Sequence, residues 1–359
     1  MTGPIRVLVV EDSLTIRKRL VEALSADRDL AVVGEAADGR LGFELCRRLR
    51  PDVVTLDMMM PEMTGVAATE HIMAFCPTPI LVVSASVNRG ELFRTFDALA
   101  AGAIDVLEKP LGVEPDGAWE ARLRAAVKLI SRIKVITHPR ARLGLWETRS
   151  EDARPSGATT KAGEARGRIF GIGGSTGSPA AVLEILRHLP REFADPVLLV
   201  VHINEPFGAA FADWLDQQAS VGVRYARDRE PLQARGDACV FMAPPGRHLV
   251  LERGALRLSD APERHSCRPS VDVLFESIAA ERGRDSVAVL LTGMGRDGAA
   301  GMLAIRRAGG RTIAQDEATS VVFGMPREAI LLGAAERVLP LGAIGPAIVA
   351  AVGQREGTQ

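Results

Sequence analysis

Twice along this chain, short apolar runs of strand length alternate with amphipathic stretches of helical spacing, and a polar, unperiodic segment divides the two series. The first series has apolar runs at Ile5–Val10, Ala31–Gly34, Val53–Leu56, Ile80–Val83 and Asp105–Leu107. Between them Ile16, Leu20, Ala23 and Leu24 recur at helical spacing, as do Leu41, Leu45 and Leu49. Five such units predict a doubly wound parallel sheet, closed by a helix from Trp119 to about Ile133. From about Thr137 to Arg166 the pattern dissolves into small polar residues, the composition of a flexible linker. Alternation resumes with Ile169–Ile172, Val197–Ile203, Cys239–Met242, Val287–Leu291 and Thr312–Ala314, and a hairpin is predicted across Arg253-Gly254. The expected organisation is an α/β domain over 1–135, a linker over 136–167 and a second α/β domain, Rossmann-like with the inserted hairpin, over 168–355.

The 359 residues suit two cores rather than one. With 44 basic and 45 acidic side chains, a net charge of −1 gives no bulk attraction to nucleic acid or anionic lipid. The longest apolar stretches are too short to cross a bilayer, and no basic-then-apolar leader opens at Met1. Cys46, Cys76, Cys239 and Cys267 lack the C-x-x-C spacing of a zinc or redox site and read as reduced, mostly buried thiols. A monomeric, cytoplasmic protein is expected, with no nucleic-acid partner and no membrane insertion.

Strand ends carry the chemistry. Glu11 and Asp12 follow the first strand and Asp57 the third, neighbouring positions in a parallel sheet. Three converging carboxylates are costly unless a divalent cation neutralises them, and hard oxygen donors suit Mg²⁺. Ser84 ends the fourth strand and Lys109 follows the fifth. A metal and a lysine around one aspartate are what a phosphoryl group needs to pass onto that carboxylate. These five positions resemble a response-regulator receiver domain of flavodoxin-like fold. The resemblance implies phosphorylation of Asp57 by a histidine kinase. It also implies Mg²⁺ held by Glu11, Asp12, Asp57 and the backbone of Met59, with Ser84 and Lys109 on the phosphoryl oxygens. The family's aromatic switch residue, three before the lysine, is here Val106, so the signal is expected to leave through backbone and domain-interface shifts.

In the second series, the strand from Arg168 runs into Gly173-Gly-Ser175-Thr-Gly177, with a helix after it. Glycines allow a sharp turn, and a helix start offers free N–H groups and a positive dipole end. Three uses compete. Dinucleotide binding is misspaced, because Gly171-x-Gly173-x-x-x-Gly177 is not the Rossmann pattern and the next strand ends at His202-Ile-Asn204 with no acid. A nucleophile elbow fits G-x-S-x-G literally, but an α/β-hydrolase needs its histidine last, and here none follows His265. The third use keeps Ser175 as nucleophile, with His202 from the next strand end as base and Asp297, from a later strand-end loop, as its orienting acid; triads are recognised by geometry, not chain order. His71, His138, His188, His248 and His265 read as surface or structural.

Five further segments extend the pattern: Ile172-Gly-Gly-Ser-Thr-Gly177, Val201-His202, Met242-Ala-Pro-Pro-Gly-Arg-His248, Arg268-Pro-Ser-Val-Asp272 and Thr292-Gly-Met-Gly-Arg-Asp-Gly298. With Ala314-Gln-Asp-Glu-Ala-Thr-Ser-Val-Val-Phe-Gly-Met-Pro326, they resemble the catalytic domain of chemotaxis protein-glutamate methylesterases. The resemblance implies hydrolysis of glutamate γ-methyl esters on chemoreceptor cytoplasmic helices, with methanol released, and often deamidation of receptor glutamines. Carried over, Ser175 is nucleophile, His202 base, Asp297 orienting acid, and the backbone of Met294 serves the oxyanion. No cofactor is implied for the ester chemistry. Two departures stand out: Ser178 where glycine is common, and Ile-Asn-Glu-Pro-Phe after His202 in place of Met-Pro-Pro-Gly-Phe. The other class of function left open is a non-catalytic or differently targeted phospho-regulated binding protein in a similar pathway. An unphosphorylated first domain packed across the Ser175 groove is the expected switch.

Overall fold

The computed structural model describes residues 3–85, 88–110, 117–133, 135, 167–203, 206–232 and 240–353. The predicted linker over 136–167 lies outside them apart from its last residue, as do Cys239, His138 and the Asn204-Glu205 part of the loop after His202.

The first domain runs β1 Ile5–Val10, α1 Leu14–Ser25, β2 Leu30–Ala36, α2 Gly39–Leu49, β3 Val53–Leu56, α3 Gly65–Phe75, β4 Ile80–Ser84, α4 Arg89–Ala100, β5 Asp105–Glu108 and α5 Ala118–Ile130. Its strands pair in parallel in the order β2-β1-β3-β4-β5. Helices cover both faces, so β1 reads as a continuous apolar run: Leu8 and Val10 pack to one side, Val7 and Val9 to the other. Side-chain oxygens of Asp38, Thr64 and Asn88 cap α2, α3 and α4, which fixes where each helix leaves its loop.

The second domain continues with β6 Ile169–Gly174, α6 Ser178–His188, β7 Val197–Val201, α7 Gly208–Gln218, β8 Val223–Tyr225, β9 Glu230–Pro231, β10 Val240–Met242, β11 His248–Glu252, β12 Ala255–Ser259, α8 Val271–Arg282, β13 Ser286–Leu290, α9 Ala299–Arg307, β14 Arg311–Gln315, α10 Met325–Leu331, β15 Arg337–Leu339 and α11 Leu341–Gly353. Its main sheet is parallel, in the order β15-β14-β13-β6-β7-β10-β8. The chain order reverses at β6, which puts the ends of β13, β6 and β7 side by side at a switch point. The hairpin β11–β12 turns through Arg253 and Gly254, both at positive φ as a two-residue primed turn requires. Sequence reasoning did not foresee β9, which pairs with β12, nor the edge strands β8 and β15; each is two or three residues long, too short to show a period.

One hydrophobic cluster runs through both domains. Phe96 of α4 lies 5.0 Å from Phe211 and 5.4 Å from Trp214 of α7, ring centre to ring centre. Trp214 Nε1–H donates to Asp97 Oδ1 at 2.9 Å, and Arg89 pairs with Asp213 at 2.9 Å across the same seam.

Candidate functional site

Ser175 follows β6, His202 follows β7 and Asp297 lies in the loop after β13, so the three come from adjacent strand ends. His202 Nε2 is 2.9 Å from Asp297 Oδ2. Asp297 is buried and accepts three further hydrogen bonds at the start of α8: Ser270 Oγ–H at 2.7 Å, Val271 N–H at 2.7 Å and Asp272 N–H at 3.1 Å. Burial opposes its ionisation, but His202, Ser270 and Val271 prevail and hold its pKa below the usual carboxylate value. A helix N-terminus thereby clamps an ionised carboxylate onto the imidazole. For His202, burial pulls the pKa down; the hydrogen bond to Asp297 and the Cys267 sulfur outweigh it and raise the pKa to about 9.

The serine is held by backbone. Its N–H donates to Thr292 O at 3.0 Å, and its carbonyl accepts from the Ser178 N–H and hydroxyl. Gly177, at φ +79°, makes the turn into α6. Gly293 lies so close that a Cβ there would stand 2.8 Å from Ser175 Cβ. The next N–H, that of Met294, finds no acceptor among the described residues. Ser175 Oγ likewise makes no hydrogen bond among them. Its hydroxyl faces a cavity of about 210 Å³ that Val106, Leu107 and Arg122 of the first domain close from the other side, with His202 and Phe207.

At the other sheet end, Glu11, Asp12 and Asp57 each bring an oxygen within 4.8 Å of the others. Lys109 Nζ lies 2.9 Å from Asp57 Oδ1 and 2.9 Å from Glu11 Oε2, and its hydrogen bond to Glu11 goes to Oε1 at 3.1 Å. Glu11 Oε2 is buried and makes no hydrogen bond, and the charge beside it is the Lys109 ammonium. Burial, then the charge of Asp57, pushes the Glu11 pKa up to about 7, and burial raises that of Asp57 against the pull of Lys109. This donor set suits a hard divalent cation. Ser84 is buried beside it, and its hydroxyl donates to Glu91 Oε1 at 2.9 Å. Met59 follows Asp57 by two residues, its side chain exposed.

Residues 170–348 match the family model described as CheB methylesterase, and residues 7–115 match the response regulator receiver domain. A protein-glutamate methylesterase/protein-glutamine glutaminase of Anaeromyxobacter dehalogenans is 46% identical over 96% of this chain and 96% of its own. One from Nitrosospira multiformis is 41% identical over 99% of each. The crystal structure of the Thermotoga maritima CheB methylesterase catalytic domain is similar at 34% identity, covering 52% of this chain and all of its own, with a TM-score of 0.49. The chain belongs to the CheB methylesterase family.

Within this CheB-type chain, sequence reasoning found the three strand-end side chains but not what holds them. Ser270 lay in a quoted segment without a role; its signal is that of a helix cap, a serine just ahead of the apolar α8. Gln315 Oε1 accepts the Thr292 N–H at 2.8 Å and fixes the loop that carries Gly293. Cys267, expected to be mostly buried, is half-exposed, and its sulfur is 3.7 Å from His202 Nδ1. The reason is its turn, which projects it beside the imidazole rather than into a core. Of the other described histidines, His71 and His188 bond to carbonyls of their own helices, buried His248 accepts the Ser270 N–H, and His265 meets Asp272. No described helix is long and apolar enough to cross a membrane.

Proposed function

We propose that this chain hydrolyses glutamate γ-methyl esters on chemoreceptor helices, releasing methanol, and deamidates receptor glutamines at the same centre. The observation that carries this is the clamped His202–Asp297 pair beside Ser175, in a chain matched end to end by relatives named for that activity. Because Asp297 occupies Nε2, the proton of Ser175 passes to His202 Nδ1 as Oγ attacks the ester carbonyl. The carbonyl oxygen takes the negative charge against the Met294 N–H, a type of donor worth about 10²–10³-fold. His202 then protonates the departing methoxide, and water repeats the sequence on the acyl-serine. Ser175 Oγ meets Nδ1 only with substrate in place, as often holds for catalytic hydrogen bonds.

The domain division 1–135, 136–167 and 168–355 gives this chemistry a switch. Phosphoryl transfer from a histidine kinase falls on Asp57, with Mg²⁺ held by Glu11, Asp12, Asp57 and the Met59 backbone. A cation held there would offset charge on the phosphoryl oxygens, which Lys109 and Ser84 contact. In the unphosphorylated form α4, β5 and α5 lie over the catalytic groove. A receptor helix about 10–12 Å across does not enter a cavity of about 210 Å³, so the domains must part. To reach a phosphoryl group, the Ser84 hydroxyl has to leave Glu91 at the start of α4, the helix that carries Phe96 and Asp97 into the seam.

Methyl-esterified receptor membranes mixed with wild type or Ser175→Ala test the reading. Wild type releases methanol and Ser175→Ala does not. Equal release by both would remove Ser175 from the chemistry, and no release by folded wild type would favour a binding-only regulator.

A further inference from the structure

Cys267 carries no proton and no charge in the mechanism above, yet it is held firmly against the catalytic base, whose pKa it helps to raise. Arg264 and Cys267 exchange both backbone hydrogen bonds, at 3.1 and 2.9 Å, across a two-residue turn. The turn residues His265 and Ser266 sit at φ 52° and 60°, a conformation that non-glycine residues adopt at a cost of about 1–2 kcal/mol. Arg264 anchors the turn through Glu276, with hydrogen bonds at 2.5 and 2.8 Å. The thiol donates to the His265 carbonyl at 3.4 Å and packs into none of the hydrophobic clusters, so it is not a small core filler. What it touches is His202 Nδ1, at 3.7 Å.

That distance has a chemical meaning. A tetrahedral zinc ion with Zn–S of about 2.3 Å and Zn–N of about 2.1 Å sets its sulfur and nitrogen donors about 3.6 Å apart. The other requirements are met as well. Asp297 holds Nε2–H, which leaves Nδ1 as the nitrogen for a ligand and supplies the carboxylate–histidine partner that metal-bound imidazoles usually have. His202, Cys267 and Asp297 each offer a ligand atom within 4.8 Å of the others. Cys267 and Asp297 also line a surface cavity of about 520 Å³ with Met294 and Arg296. No described residue of the first domain lines that cavity, so Cys267 is open to solvent while the seam stays closed; His202 lines the cavity at the seam.

We propose that Cys267 Sγ and His202 Nδ1 form a binding site for a soft divalent cation of the Zn²⁺ class, and that occupancy switches the esterase off. On binding, the thiol proton and the proton that Nδ1 carries on the charged imidazole both leave to solvent, and the thiolate and the freed Nδ1 lone pair become ligands. Water from the cavity fills the remaining positions, and Nε2–H stays on Asp297. Nδ1 is then no longer available to Ser175. The inhibition rests on the reading of His202 as general base; the site itself does not.

The experiment uses the full-length chain with saturating Mg²⁺, which keeps hard-ligand sites on the first domain occupied. Co²⁺ titration followed by absorption reports thiolate ligation directly, and Zn²⁺ is added in parallel to the methanol assay. Wild type shows a thiolate-to-cobalt charge-transfer band saturating at one equivalent. Micromolar Zn²⁺ lowers its methanol release by about 10²-fold, the worth of a general base, and a chelator restores it. Cys267→Ala and Cys267→Ser lose the band, and Zn²⁺ leaves the methanol release of each at its own zinc-free rate. No band, a band that survives in both variants, or equal zinc inhibition of wild type and variants overturns the proposal. A band without methanol release from any preparation would leave the site standing and refute the esterase reading instead.

Discussion

Trp214→Phe separates docking from catalysis. The indole Nε1–H donates to Asp97 Oδ1 across the domain seam at 2.9 Å, while the ring stacks on Phe211 at 5.7 Å and meets Phe96 at 5.4 Å. Phenylalanine keeps most of the ring packing and deletes the donor. Burial raises the Asp97 pKa and the indole hydrogen bond works against that, so the variant leaves a half-desolvated acid without its partner. A hydrogen bond to a charged acceptor is worth about 1.5–3 kcal/mol. Asp97 recovers part of this by taking up water or a proton, so the lower end applies. At about 1.4 kcal/mol per decade, the closed-to-open ratio falls roughly tenfold. Methanol release by the unphosphorylated chain therefore rises by up to about tenfold, the rate saturated with a small phosphodonor and Mg²⁺ stays at the wild-type value, and the fold-stimulation shrinks by the same factor. The assay is initial methanol release with and without donor, with Tm measured on the same samples. An unchanged basal rate in a folded variant, or basal and stimulated rates rising together, would refute the idea that this seam covers the site.

Other outcomes follow from the same geometry. Arg89→Ala, which removes a pair exposed on both sides, shifts the basal rate by less than twofold in the same assay, since such pairs contribute about 0–1 kcal/mol. Asp297→Asn lowers kcat by about 10³–10⁴-fold through loss of the imidazole's tautomer and orientation, read by methanol release with receptor binding checked separately. Because His202 Nδ1 must be unprotonated, and its pKa is raised to about 9, kcat/KM climbs with pH above the ordinary histidine value of 6.5 towards 9; a profile already flat at neutral pH contradicts this. The same shift has a stability sign: the His202–Asp297 pair contributes fully below about 6.5, and the contribution is lost as pH rises through about 9. Gly293→Ala sets a Cβ 2.8 Å from Ser175 Cβ and 3.0 Å from its nitrogen; it costs about 1–3 kcal/mol in unfolding experiments and depresses kcat more than it raises KM.

Periodicity carried the architecture because buried parallel strands must be apolar throughout, so β1, β3, β4, β6, β7 and β13 stood out without any structure. The strand-end residues were equally legible, since a doubly wound sheet gathers its carboxyl ends wherever the chain order reverses. What stayed hidden depends on contacts between distant segments that leave no period. The cap at Ser270 doubles as the seat of Asp297, and the turn at His265-Ser266 aims Cys267 at His202. Nothing in the sequence marks Phe96, Trp214 and Phe211 as facing one another; only the docked domains show that helices of different domains share them.

Donor-stimulated methanol release, compared between wild type and Asp57→Ala on methyl-esterified receptor membranes with Mg²⁺ present, tests the whole account. The covered-site mechanism expects equal basal rates, strong stimulation of wild type by the phosphodonor and none of Asp57→Ala. Stimulation that persists in Asp57→Ala, or a wild type that takes up phosphate yet releases methanol no faster, would contradict it.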